Sequence, residues 1–305
     1  MAALVSQAQQ TRRPTFDVTN YVINVQLSPQ ENKLTAVADV TFVPLEDLRT
    51  VTFELNGSLK ADSIERISIS APAVAPTPAG GRRQPRPTPT PQGPQVTFVQ
   101  DQVGVSEYGP SVRIDLGEMT VKNEPVTLRF KYSGVLNTPA GGPLLSKRLA
   151  YIGENQGYLM YASRWFPFHD YAADLATATV NVMLPSGFQV VGTDDASEAA
   201  PAASPYRFVQ SKPGLIGNLA YGRYSRRDLK YGGYNVNFYT KPGSSEAVEG
   251  FAETIGKALD FYTKRFGEPE MGKTYSVVQI DDESLDFYSG PGILFISDRQ
   301  FMQPR

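Results

Sequence analysis

The side chains best equipped for chemistry gather in one stretch, Glu154 to Asp174, which holds the only Trp and the only His of the chain. Arg164, Trp165, Phe166, Pro167, His169 and Asp170 put a cation and a carboxylate among aromatics. A Ser-His-Asp triad would need His169 as its base. No G-x-S-x-G elbow accompanies it, and Pro167 and Asp170 hem the imidazole in, so a hydrogen-bonded packing residue is the plainer reading. A zinc hydrolase of the His-Glu-x-x-His type needs two imidazoles one helical turn apart, which a chain with 1 His cannot supply. With 0 Cys there is no thiol nucleophile, disulfide scaffold or Cys-ligated zinc. Gly290-Pro291-Gly292 is too short to cradle a phosphate, and its proline has no N–H to offer.

A second group of ionisable residues, Asp281, Asp282, Glu283 and Asp286, follows an apolar run. It reads either as a patch that receives a cation, such as a substrate ammonium or a metal ion, or as a solvated loop after a strand.

The elements that must position these residues are mostly strands. Tyr, Phe, Val and Thr are plentiful, and 26 Gly and 24 Pro punctuate them. Tyr21 to Leu27 and Leu34 to Val43 alternate apolar and polar residues around a Ser-Pro-Gln-Glu-Asn turn, which predicts a hairpin. Short strands follow at Val51–Leu55, Ile64–Ile69, Val112–Leu116 and Val126–Tyr132. More follow at Ala178–Leu184, Phe188–Val191, Tyr206–Val209, Leu219–Tyr224 and Tyr234–Tyr239. The Glu154 to Asp174 stretch is expected to be a rigid corner instead, fixed by Pro167. In it Arg164 is held by Asp170 or Asp174 and stacked on an aromatic.

From Ser244 to Phe266 the apolar period becomes helical, with Ser244 or Ser245 as cap, Lys264 and Arg265 in the last turn and Gly267 as the stop. Thr274–Ile280 and Gly292–Ser297 read as strands with a glycine-bearing turn between them. The expected organisation is a flexible N-terminus (1–13), an all-β domain (14–240) interrupted by a mobile Pro-rich loop (71–95), and the incomplete start of an α/β domain (241–305). The fold class is therefore mainly β, a multi-sheet sandwich followed by a truncated α/β unit. The net charge of -2 gives no field to gather nucleic acid. No run of about 18 apolar residues offers a transmembrane span. Ser6-Gln7-Ala8 fits the small-x-small pattern of a signal-cleavage site, so a periplasmic, secreted or cell-envelope location is expected, with the cytoplasm as the alternative.

The run Tyr158 to Asp170 resembles the aminopeptidase N family of zinc metallopeptidases, the gluzincins. Arg164, Phe166, Pro167 and Asp170 match the family's R-x-F-P-x-x-D, Asn155 to Tyr158 match its T-Q-F-E, and Leu184 to Thr193 match its P-x-G-x-x-V turn. A helix containing F-Y-x-x-x-F-G, a strand and a glycine turn follow in the family's order, over about Phe16 to Ile296. The resemblance implies a saddle-like β domain followed by a thermolysin-like α/β domain, in a protein that removes N-terminal residues from peptides. It places the zinc motif beyond this chain, so that zinc is expected in the full-length protein and no catalytic or metal residue in these 305.

By the same resemblance the chain contributes walls of the peptide pocket. Gln156 falls on the family's amine-binding Gln, and Tyr158 and Ser289 fall where its two ammonium-binding glutamates stand. Gly290 and Gly292 lie in the adjoining turn, and Glu154, Glu283 or Asp286 is an acid that could serve from a shifted position. Gln156 and Ser289 are thus expected to face a common hollow. With both glutamates replaced, a divergent or inactive homologue is one alternative; a β-sandwich interaction module without peptidase descent is another.

Overall fold

In a computed structural model of the chain, residues 13–67, 96–101, 111–136, 147–170, 174–194, 204–244, 246–282 and 285–302 are described. The Pro-rich segment 71–95, nearly all of the N-terminal 1–13, and Glu283 lie outside them.

Among the described residues eighteen strands and two α-helices follow in order. The first seven are β1 (Phe16–Ser28), β2 (Lys33–Pro44), β3 (Thr50–Glu54), β4 (Leu59–Ile67), β5 (Thr97–Gln100), β6 (Ser111–Asp115) and β7 (Val126–Val135). Next come β8 (Ala150–Ile152), β9 (Gln156–Leu159), β10 (Ala176–Met183), β11 (Gln189–Gly192), β12 (Tyr206–Gly214) and β13 (Leu219–Gly222). The last are β14 (Ser225–Tyr231), β15 (Tyr234–Thr240), α1 (Glu246–Phe266), β16 (Thr274–Ile280), β17 (Phe287–Gly290), β18 (Ile293–Ser297) and α2 (Asp298–Met302). The chain is mainly β, as its alternation predicts.

The strands form four sheets: β12-β10-β1-β2-β7-β4, β3-β6-β5, β11-β13-β9-β8 and β14-β15-β16-β18-β17. The β1–β2 hairpin pairs Leu27 with Leu34 and turns through Asn32 in the left-handed region. Its inward residues, among them Ile23, Val25, Ala38 and Val40, enter the largest core together with Phe53, Phe130, Trp165 and Phe166. A second apolar layer joins the β9 sheet to the β16 sheet through Tyr158, Met160, Val278, Ile280 and Phe295. A third places Val248 and Ala252 of α1 on Val236, Phe238 and Ile296. The helix ends where glycine permits it, with Gly267 at φ +92.

Two sequence expectations are corrected, and one strand is added to those read from the sequence. The Glu154 to Asp174 stretch begins as strand β9, and only after it comes a single 3-10 turn, Tyr161–Ser163. Arg164, itself left-handed at φ 53, pairs with Glu54, and neither Asp170 nor Asp174 is its ion-pair partner. The expected stacking does occur, with its guanidinium 5.3 Å from the Phe168 ring. Finally, Ser225–Tyr231 is a strand although four of its seven residues are charged. It is a sheet edge, where charge on both faces is tolerated, and Gly232 and Gly233, both at positive φ, supply the two-residue turn into β15.

Candidate functional site

Strands β15, β16 and β18 run parallel, with Tyr239 beside Val278 and Ile280 beside Ser297. Their carboxyl ends form the rim where open α/β sheets bind ligands. Gln156, at the start of β9, is buried against that rim. Its Nε2 donates to the Gln279 carbonyl and, at 2.9 Å, to the Tyr224 hydroxyl, and its Oε1 accepts from Asp281 N at 2.8 Å. Gln279, also buried, continues the network: its Oε1 accepts from Lys241 N and its Nε2 donates to Ser244 Oγ.

Two residues on from Gln156, and so on the same face of β9, Tyr158 donates its hydroxyl to Asp282 Oδ2. Arg148 completes a triangle, its Nε 3.1 Å from the Tyr158 oxygen and 3.4 Å from Asp282 Oδ2. Burial above all, and then Asp282, raises the Tyr158 pKa far above the ordinary phenol range, against an opposing pull from Arg148. Burial pulls Arg148 down, but Tyr158 and Asp282 together hold its pKa above the usual guanidinium value. Both groups therefore keep their protons at neutral pH.

The other sequence-selected residues lie elsewhere. Glu154 is exposed at the tip of the β8–β9 hairpin. Ser289 is exposed on the edge strand β17, where it pairs with Leu294. Directly paired residues share a face, and Leu294 belongs to the layer under α1, opposite the layer that holds Tyr158. Gln156 and Ser289 thus address opposite faces of the sheet and do not share a hollow among the described residues. Gly290 has a packing role, since a Cβ there would lie 2.5 Å from Asn218 Nδ2. Asn218 accepts from Tyr161 N, and Thr193 holds the Pro291 carbonyl at 3.0 Å. This contact stands at the far end of the β9–β13 pair from Gln156, which is in register with Gly222. Gly292, half-buried at φ +68, makes the turn from β17 to β18.

Of the acidic residues after β16, Glu283 lies outside the described residues and the other three are each paired with a cation. Asp282 is buried under Tyr158 and Arg148, Asp281 and Asp298 share Lys241, and Asp286 takes Arg299 and Gln300. Arg148, Tyr224 and Gln279 escaped sequence reasoning because nothing local marks residues that meet from so far apart along the chain.

The lone histidine is a structural residue. His169 Nδ1 lies 3.0 Å from Asp174 Oδ2 and its ring stacks on Phe16 at 3.8 Å. Asp174 also accepts from Val18 N and Asp170 N. Above it Glu54 meets Arg164; burial raises the Glu54 pKa against the pull of Arg164. Among the described residues no three His, Cys, Asp or Glu side chains converge as metal ligands. The donors among the described residues do not fit a zinc ion.

No protein-family model and no curated protein matches the chain, but solved structures do. An M1 zinc metallopeptidase from Deinococcus radiodurans superposes with TM-score 0.65 at 18% identity, covering 96% of this chain and 62% of that one. A two-domain M1 zinc metallopeptidase mutant bound to L-arginine gives 0.64 at 18%, covering 95% and 62%. A mutant of the Deinococcus radiodurans M1 enzyme bound to a Tyr-Ser-Ala substrate gives 0.64 at 19%, covering 92% and 60%. The chain spans no more than 62% of the length of these structures. The likeness establishes a shared fold over nearly all of this chain. Among the described residues no helix is long and apolar enough to cross a membrane.

Proposed function

We propose that the chain is the β-rich part of a peptide hydrolase of the M1 zinc metallopeptidase type, and that it forms walls of the substrate pocket. The observation that carries this reading is the superposition over 95% of the chain on enzymes of that description. The order of motifs from Gln156 to Gly292 agrees with it. A β-sandwich interaction module has no reason to share that order. In such an enzyme a metal would polarise the scissile carbonyl. A His-Glu-x-x-His pair to hold it would have to lie outside this chain, which has 1 His.

What this chain's residues supply is a shaped, polar rim. The Gln156 amide fixes the ends of β9 and β16 against each other, and Tyr158 closes the floor beside it. Removal of N-terminal residues is the narrower form of the activity. It would require an anion to receive the substrate ammonium, because an ammonium left unpaired in a closed pocket costs several kcal/mol.

The test is made on the longer protein. Coding sequence continuous with this chain should specify a helix bearing His-Glu-x-x-His or a decayed copy of it. The zinc-loaded product should cleave peptides, while the 305-residue chain with added zinc should not. Absence of any such helix, or stoichiometric zinc binding with hydrolysis by this chain alone, overturns the proposal.

A further inference from the structure

Thr263 ties the last turn of α1 to β15, its hydroxyl sharing a hydrogen bond with the Tyr234 hydroxyl. Two turns earlier Gly256 sits so close to Tyr231 that a Cβ there would lie 2.4 Å from the Tyr231 Cβ. The end of the helix is thus held in place, and the aromatics beside that seat are held out in the open. Phe261, Tyr262 and Phe266 are 58%, 59% and 74% exposed. They cluster, with ring centroids 5.3 Å apart for Phe261 and Tyr262 and 6.1 Å apart for Tyr262 and Phe266. The turn after Gly267 does not fold over them; it leads to Glu270, whose carbonyl accepts from Lys212 Nζ at 2.7 Å. These rings end an apolar seam in which Phe251, Ile255, Leu259, Tyr262 and Phe266 recur at helical spacing. The protein covers the first part of the seam itself. Phe251 packs on Phe301 of α2, 5.1 Å between centroids, and Ile255 is half-buried. Among the described residues nothing continues that cover to Tyr262 and Phe266.

We propose that the open end of this seam is a docking face for a further apolar segment of the same polypeptide, lying outside these 305 residues. An aromatic side chain offers about 150–250 Å², so the three rings leave roughly 400 Å² uncovered. Patches of this size on a monomer commonly mark contacts. The area is about half of the roughly 800 Å² that each partner gives to a standard interface between separate proteins, too little to hold a second copy by itself. A segment of the same polypeptide loses far less freedom on docking, so the smaller area suffices. Charge argues against a lipid surface. The helix carries four acids against three bases, and Lys257 and Lys264 are each paired at 2.6 Å with the acid one turn back, Glu253 and Asp260. Helices that lie on membranes present unpaired bases instead. The structures that superpose on this chain have no more than 62% of their length matched by it, so a protein of that type has a source for the segment. The inference rests on the peptide-hydrolase reading for the existence of the longer polypeptide, while the face itself is read from this chain.

Hydroxyl-radical footprinting of the 305-residue chain and of the longer protein tests it. Phe261, Tyr262 and Phe266 should oxidise readily in the chain. In the longer protein they should react at least about fivefold more slowly, as their exposure falls to that of a packed interface core. Tyr262→Lys combined with Phe266→Lys puts charge on the face while suiting the carboxyl end of a helix. The pair should leave the melting temperature of the chain within about 1 °C and lower that of the longer protein by about 3 °C or more. Equal oxidation of the rings in the two proteins overturns the proposal, as does a longer protein that melts unchanged with both lysines. Protection that grows with the concentration of the 305-residue chain alone also overturns it, by assigning the face to a second copy. So does protection by vesicles of phosphatidylglycerol and phosphatidylcholine, which would assign the face to a lipid surface.

Hydrolysis is scored separately. A zinc-loaded longer protein that cleaves no peptide yet protects the three rings ends the peptidase reading and leaves the docking face standing. One that cleaves peptides with the rings still open does the reverse.

Discussion

Arg164 and Glu54 form an ion pair in which the arginine side chain is 6% exposed and the glutamate 19%. It fastens the turn after β9 to the end of β3, where Glu54 also exchanges backbone hydrogen bonds with Phe168. Burial and attraction oppose each other in such a pair, and the raised Glu54 pKa shows burial ahead.

Neutralising the acid should therefore cost no less than removing the arginine. Arg164→Met leaves a carboxyl that can take up a proton, whereas Glu54→Gln leaves a buried guanidinium that cannot lose one, so Glu54→Gln should cost about 3 kcal/mol and Arg164→Met no more than that. Urea denaturation of the two variants and of the double mutant measures both. A clearly larger loss for Arg164→Met would show that the carboxyl stays charged without its partner.

The buried phenols make a pH prediction. Tyr132, Tyr158, Tyr221 and Tyr224 all have pKa values raised by burial. The folded state keeps protons that the unfolded chain releases above about pH 10. Their contribution is thus complete below that pH and is lost as pH rises above it, at about 1.4 kcal/mol per pH unit for each phenol, or roughly 5 for the four. Tyrosinate absorbance at 295 nm should appear for these four only as the chain unfolds. Ordinary titration in a still-folded chain would refute this. Tyr132 adds a sharper case. Its buried hydroxyl has no hydrogen-bond partner among the described residues, so Tyr132→Phe should stabilise by about 0.5–1.5 kcal/mol.

Gly290→Ala should separate packing from recognition. The new methyl meets the Asn218 amide, which Tyr161 N already holds in place. Overpacking of this kind costs about 1–3 kcal/mol. Asn218→Ala should remove most of that penalty in the double mutant, a coupling expected of residues in contact. Additive losses by thermal denaturation would place the strain elsewhere.

The sequence displayed whatever obeys a local period or a turn rule. The β1–β2 alternation, the apolar stripe of α1 and the Gly267 stop all stand where their spacing puts them. Strand β14 was hidden by its charges, though the Gly232-Gly233 pair was a usable signal. The rim was only half legible. Gln156 was marked by the family resemblance and Asp282 by its acidic neighbours, but Arg148 meets Asp282 across 134 positions, and no spacing rule spans that distance. Ser289 shows the converse. A matching motif gave its place along the strand, while the two-residue period of β17 decided which face it took.

Gln156 offers the last and most discriminating case, because its amide is fully used inside the protein. Gln156→Leu would fill the space and strip partners from Asp281 N and the Gln279 carbonyl, while the Tyr224 hydroxyl keeps its bond to the Tyr221 carbonyl. Each buried group so orphaned costs about 1–3 kcal/mol, tempered by whatever water can reach the rim. The expected loss is therefore about 3 kcal/mol, with amide exchange accelerated in β9 and at the end of β16 before the rest of the molecule opens. A residue kept only to touch substrate would leave both readings unchanged. Hydrogen exchange of Gln156→Leu against wild type decides between a joint that holds β9 to β16 and a residue that merely lines a surface.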